Sequence, residues 1–238
     1  MRKFPAIWTR WAAACLACLF PAAALLAAEP VTRREAMQIA ASYQLFAWTP
    51  TERNIIHGND RHGVRVDTPD ATFQRPGTRS GWWVPGRKNI GVPYMWGGFS
   101  SLREFADGIK AGRYAGDVYT AEKRAGLDEA VSQEAVGIDC SGLISRCWKL
   151  PRCYSTRTLP SLCAELATYE DLKPGDILNS HNNHVLLFAG WQDDKHLRLV
   201  AYEAGSPPTW KVLLNSMPVE MLRSHHYRPY RYRQMHDS

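Results

Sequence analysis

The most regular alternation of apolar and polar positions lies between residues 136 and 150, where residues 140, 143, 144, 147 and 148 recur at the spacing of one helix face. Asp139 stands where an N-cap belongs, and Pro151 closes the run. A second helix is predicted from the capping-box sequence Thr32-Arg33-Arg34-Glu35. Its apolar side carries Ala36, Ile39, Ala40, Tyr43, Phe46 and Ala47, and it ends before Pro50. Further on, the pattern predicts a helix over about 102–110, a glycine-rich turn at 112–116 and a polar helical stretch over about 121–134. After residue 172 the period shortens. Segments 176–178, 184–190, 197–203, 210–214 and 227–232 read as strands separated by polar or glycine-containing turns. Helices followed by a strand meander predict an α+β fold.

The first 28 residues follow a different rule. Arg2, Lys3 and Arg10 precede an apolar run from Trp11 to Ala28, and the first acidic residue is Glu29. This is the layout of a secretory signal peptide, and its only contact with a membrane is during export. An uncleaved anchor is the competing reading; Pro21 and the many alanines suit it poorly. The predicted organisation is a signal peptide at 1–28, an N-terminal extension at 29–84 and a catalytic domain at 85–235. A helical insert at about 99–137 interrupts that last domain. The segment 51–88 offers only a short strand near Val64–Val66.

Charge adds little. Of 29 basic and 23 acidic residues, cleavage after Ala28 removes three basic ones, so a net charge of +6 becomes 26 − 23 = +3. That mild excess suits an anionic envelope but not nucleic acid. Arg228, Arg231 and Arg233 read as a solvated edge strand.

Cysteine usage narrows the chemistry. Cys140, Cys147, Cys153 and Cys163 follow the leader, with no Cys-x-x-Cys spacing to hold zinc, so neither metal nor cofactor is predicted. In an oxidising compartment they allow one disulfide, expected between Cys153 and Cys163, with Cys147 buried. Cys140 opens the predicted helix, where unpaired amides and the positive dipole end favour a thiolate. Asp139 opposes this with its own charge, so a partner base is required. A buried core thiol would leave the polar, glycine-flanked start of this helix unexplained. Among eight histidines, His184 stands at the head of an apolar strand that fixes its position, with His181 three residues earlier in a polar loop.

Four stretches then occur in order: Gly91-Val-Pro-Tyr-Met-Trp-Gly-Gly98, Asp139-Cys-Ser-Gly142, Leu172-Lys-Pro-Gly-Asp176 and His184-Val-Leu-Leu-Phe188. Together they resemble the NlpC/P60 family of bacterial cell-wall cysteine peptidases over roughly residues 85–205. The resemblance implies a papain-like core with a catalytic helix packed on an antiparallel sheet. It further implies cleavage of peptidoglycan stem peptides, commonly between D-glutamate and the diamino acid. Residue by residue it makes Cys140 the nucleophile, His184 the base and Glu203 the third member, with Tyr94 and Ser141 on the substrate or oxyanion side. If 184–190 and 197–203 form a hairpin, the predicted register sets Glu203 directly opposite His184. The separation of about 40 residues between Gly98 and Asp139 exceeds what is usual in the family. The expectation is therefore an exported, monomeric thiol hydrolase of the periplasm or cell envelope. An amidase or acyltransferase on the same scaffold and a catalytically silent wall-binding module are the alternatives.

Overall fold

The computed structural model describes residues 30–205 and 209–237, so the predicted signal peptide lies outside the described residues. In chain order β1 (Val31–Thr32) leads into α1 (Arg33–Gln44), followed by β2 (Ala47–Trp48), β3 (His57–Asn59), β4 (Arg65–Asp67) and β5 (Asn89–Ile90). Next come α2 (Leu102–Lys110), β6 (Tyr114–Ala115), α3 (Ala121–Gly126), β7 (Ala135–Val136) and α4 (Cys140–Cys147). The remainder is β8 (Cys163–Glu165), β9 (Ile177–Ser180), β10 (His184–Trp191), β11 (Arg198–Ala204), β12 (Val212–Pro218), α5 (Val219–Ser224), β13 (Arg228–Tyr232) and β14 (Met235–His236). Six of these strands form one antiparallel sheet in the order β12-β11-β10-β9-β13-β8. The fold is thus α+β, as the change of period along the chain predicts.

Both predicted caps are made. Thr32 and Glu35 exchange the two capping-box bonds at the start of α1, and Asp139 accepts from the Gly142 amide at 2.5 Å. The helix α1 buries Ala36, Ala40 and Tyr43 and ends at Gln44, earlier than predicted. Ala47 and Trp48 instead pair with Ile90 and Asn89, because the Trp48 ring packs edge-on against Phe105 and Trp83. The α4 helix buries Leu143, Ile144 and Cys147 against β10 and α1. Its far end is pinned by Trp148, which stacks on Tyr232 at 4.8 Å and donates to the Gly175 carbonyl.

Three local expectations change. The stretch 121–134 is helical only to Gly126, then a 3₁₀ turn over Leu127–Ala130, since Leu127 takes φ 49°. The sheet also gains an edge strand, β8, which carries too little alternation in three residues to be read from sequence. Finally, Cys153 and Cys163 are not bonded: all four described cysteines are free. The turn between them is not a hairpin. Tyr154 N is held by Ser145 Oγ of α4 at 3.0 Å, while Cys163 lies buried at the start of β8 with its thiol toward Leu159 O.

The extension and the predicted catalytic part share one apolar cluster, which runs from Val31, Trp48 and Trp83 through Phe105 to Cys140 and Leu187. The insert is fastened to the extension by Asp117, fully buried, whose carboxylate accepts from Asp67 N at 3.0 Å and from Lys123 Nζ at 2.6 Å. Among the described residues no helix is long and apolar enough to cross a membrane.

Candidate active site

Cys140 is the first residue of α4 and is 8% exposed. What places it is the loop 91–98, which runs beside residues 137–139: Met95 N donates to Ile138 O at 3.1 Å, and Asp139 N donates to Gly98 O at 3.0 Å. Loop and helix touch through bare backbone. A Cβ on Gly142 would lie 2.1 Å from Gly98 O, so only glycine permits this approach. Arg146 closes the contact from the helix side, donating to Phe99 O at 2.9 Å and lying over the Phe99 ring.

His184 comes from the sheet. The three residues 181–183 turn the chain between β9 and β10, with Asn182 at φ 55°, and Ser180 and His184 face each other across the ladder. Its Nε2 lies 3.1 Å from Glu203 Oε2 on β11. Glu203 is 1% exposed and accepts a second bond at Oε1 from Asn215 Nδ2 of β12, at 2.9 Å. The hairpin register differs from the predicted one. Leu187 pairs with Tyr202 rather than with Val200, a displacement of two residues; nearer the turn it is three, and a bulge between Phe188 and Gly190 takes up the one-residue difference. Because side chains alternate with period two, the displacement leaves Glu203 on the face of His184, now diagonal to it. Asn215 repeats the relation on the next strand, pairing with Ala201, two residues before Glu203.

With Nε2 committed to Glu203, Nδ1 is the ring nitrogen left for Cys140. Burial pushes the imidazole pKa down, but the Cys140 charge, the hydrogen bond to Cys140, and the bond and charge of Glu203 together raise it to about 10. His184 therefore holds its proton at neutral pH. Burial raises Asp139 to about 6, opposed by the Gly142 amide and the Ser141 hydroxyl that donate to it.

Tyr94 sits 6% exposed in the same cleft. Its amide is tied to Trp210 O at 3.0 Å, and its ring rests on Gly205, where φ is +94° and a Cβ would meet the ring at 2.3 Å. Burial, and then the Cys140 charge, lift its pKa well above the ordinary phenol range, so the O–H stays a donor. Ser141 borders the cleft, but its hydroxyl donates to Asp139 Oδ1 at 3.0 Å and serves the helix cap.

The cleft around these groups has a volume of about 430 Å³. It gathers Cys140, His184 and Tyr94 with Arg79, Trp210 and Asn182. A larger cavity of about 940 Å³, lined by His57, Arg65, Asp67 and Lys123, shares no residue with it. These side chains are already engaged: His57 with Asp70, Arg65 with Asp67, Lys123 with Asp117. Among the described residues no group of three or more His, Cys, Asp or Glu is placed to hold a metal ion.

The motif-based set Cys140, His184 and Glu203 is brought together, with Tyr94 in the same cleft. Sequence reasoning misses Asn215, which lies one residue beyond the predicted strand 210–214, and Arg79, which lies in the unassigned segment. No protein-family model matches the chain, and no curated protein matches it.

Proposed function

We propose that the chain is an exported cysteine hydrolase of peptidoglycan stem peptides, built on a papain-like core of the NlpC/P60 type. The observation that carries the reading is His184 held between Glu203 at 3.1 Å and the thiol at the start of α4. A thiolate and an imidazolium so arranged are set up for acyl transfer. Cys140 Sγ attacks the amide carbonyl. As the first helical residue, Cys140 has an amide N–H with no intrahelical partner; that N–H and the Tyr94 hydroxyl are the donors for the oxyanion. The C–N bond breaks as His184 gives its Nδ1 proton to the departing amine, leaving an acyl-enzyme on Sγ. Water enters, gives its proton to the now neutral imidazole, and its oxygen forms the new C–O bond while the thiolate leaves. Glu203 and Asn215 hold the ring and stabilise its charge throughout.

The choice of bond, D-glutamyl to diamino acid, rests on the four ordered motifs. Mass spectrometry of purified muropeptides after digestion tests it. The expected products carry a free diamino-acid amine, and Cys140→Ala lowers their rate of formation by about 10³-fold or more with the fold retained. Release of the whole peptide from the sugar chain would instead make the enzyme an amidase.

A further inference from the structure

The side chain of Arg79 is the least explained polar group in the cleft. It lies outside the catalytic motifs, in the extension, yet it reaches the wall that also carries Tyr94 and His184. Its orientation is fixed. The guanidinium lies over the Trp210 ring with Cζ 3.6 Å from the centroid, Nη2 donates to Gly205 O at 2.5 Å, and Trp210 Nε1 donates back to the Arg79 carbonyl at 3.4 Å. Trp210 in turn contacts Tyr94, with ring centroids 5.5 Å apart. Nη1, by contrast, is buried and has no hydrogen-bond partner among the described residues.

A buried, charged donor left unpaired is costly, and such exceptions gather where a ligand completes the bonding. Held flat on an indole, a guanidinium loses little freedom on meeting a planar anion, and its fork matches a carboxylate. Burial lowers the Arg79 pKa, and the charge of Glu203 opposes this. An arriving carboxylate acts in the same sense as Glu203.

We propose that Arg79 is a specificity-determining residue that binds a carboxylate of the substrate's acyl half, beside the bond that Cys140 attacks. This rests on the stem-peptide reading above and sharpens it. A glutamyl residue has two carboxyl groups; when one forms the scissile amide, the other remains free a few bonds away. Arg79 reads that free group, so the enzyme distinguishes a glutamyl from a glutaminyl residue at this position.

The test uses a pair of stem peptides that differ only in this group, carboxylate against carboxamide. Values of kcat/KM are measured for the full mature chain and for Arg79→Met and Arg79→Lys, and binding of both peptides to Cys140→Ala is followed by calorimetry. The expected wild-type preference for the carboxylate is about 10- to 100-fold, the range for a buried charge-assisted bond. In Arg79→Met the ratio collapses to within about threefold of unity, and Arg79→Lys restores part of it. Equal loss on both peptides in Arg79→Met, or a wild type that cleaves the two alike, overturns the carboxylate role and leaves the hydrolase reading standing. Cleavage of neither peptide with Arg79-dependent binding of the carboxylate form upholds the anion site and removes the hydrolase reading. Neither cleavage nor binding removes both.

Discussion

Glu203 holds a carboxylate out of solvent, a placement that costs several kcal/mol unless charge and hydrogen bonds answer it. His184 and Asn215 both do so; on the imidazole, burial lowers the pKa, and the charge and hydrogen bond of Cys140, followed by those of Glu203, raise it to about 10. Two measurements read this. The pH profile of kcat/KM is expected to fall on its alkaline side near 10, and Glu203→Gln moves that limb to lower pH while reducing the rate, with Glu203→Ala losing more. Stability carries the same sign. The folded protein retains a proton that the unfolded chain releases near 6.5, so the contribution is complete below 6.5 and is lost as pH rises toward 10. A thermal-melt series across that window should slope downward, less steeply in Glu203→Gln. Unaltered profiles in both variants would remove the orienting role. At this scale Cys140 and His184 were legible because they stand in ordered motifs, and Glu203 because the predicted hairpin and the family resemblance both point to it. Asn215 and Arg79 were not, since a lone polar residue announces no partner until strands and loops are placed.

At the scale of elements, the decisive contact is the backbone approach of α4 to the loop that ends in Gly98. Gly142→Ala forces a methyl group against the Gly98 carbonyl, and the expected cost is about 1–3 kcal/mol in a denaturant titration. Activity should fall further than stability, because the shift separates Cys140 from Tyr94; a midpoint and rate equal to wild type would contradict the geometry. Caps and strand period told where α1, α4 and the meander lie. The bulge in β10 left no mark in the sequence, and the two-residue displacement preserved the His184–Glu203 contact where a one-residue slip would have broken it.

On the scale of the whole molecule, Asp176 acts as a junction. The sequence suggests that it holds its turn, and it does accept from Lys173 N at 2.9 Å. It also accepts from Arg33 at the start of α1 and from Arg231 on β13, with its own side chain fully buried. Asp176→Ala strands two arginines at once, and a loss of about 3–5 kcal/mol is expected from chemical denaturation. Asp176→Asn, which keeps the acceptor oxygen, should lose less. These long-range ties were hidden in the sequence because the three residues are far apart along the chain: Arg33 reads as part of a helix start, Asp176 as a turn residue and Arg231 as a solvated charge.

The parallel pairing of Val31 with Met235 and of Thr32 with His236 bears on how the molecule is made. A ribosome delivers residue 31 some 200 residues before residue 235, an interval of roughly ten to forty seconds at 5–20 residues per second. Throughout that time the apolar side of α1 lacks α4, then the sheet, then the strand that clamps its entry. Cys140 likewise emerges before His184, and His184 before Glu203, which bonds to it, and Asn215, which bonds to Glu203 across the sheet. Synthesis therefore leaves Cys140 on an unfinished scaffold, and the pairing of β14 with β1 is among the last contacts the chain can make.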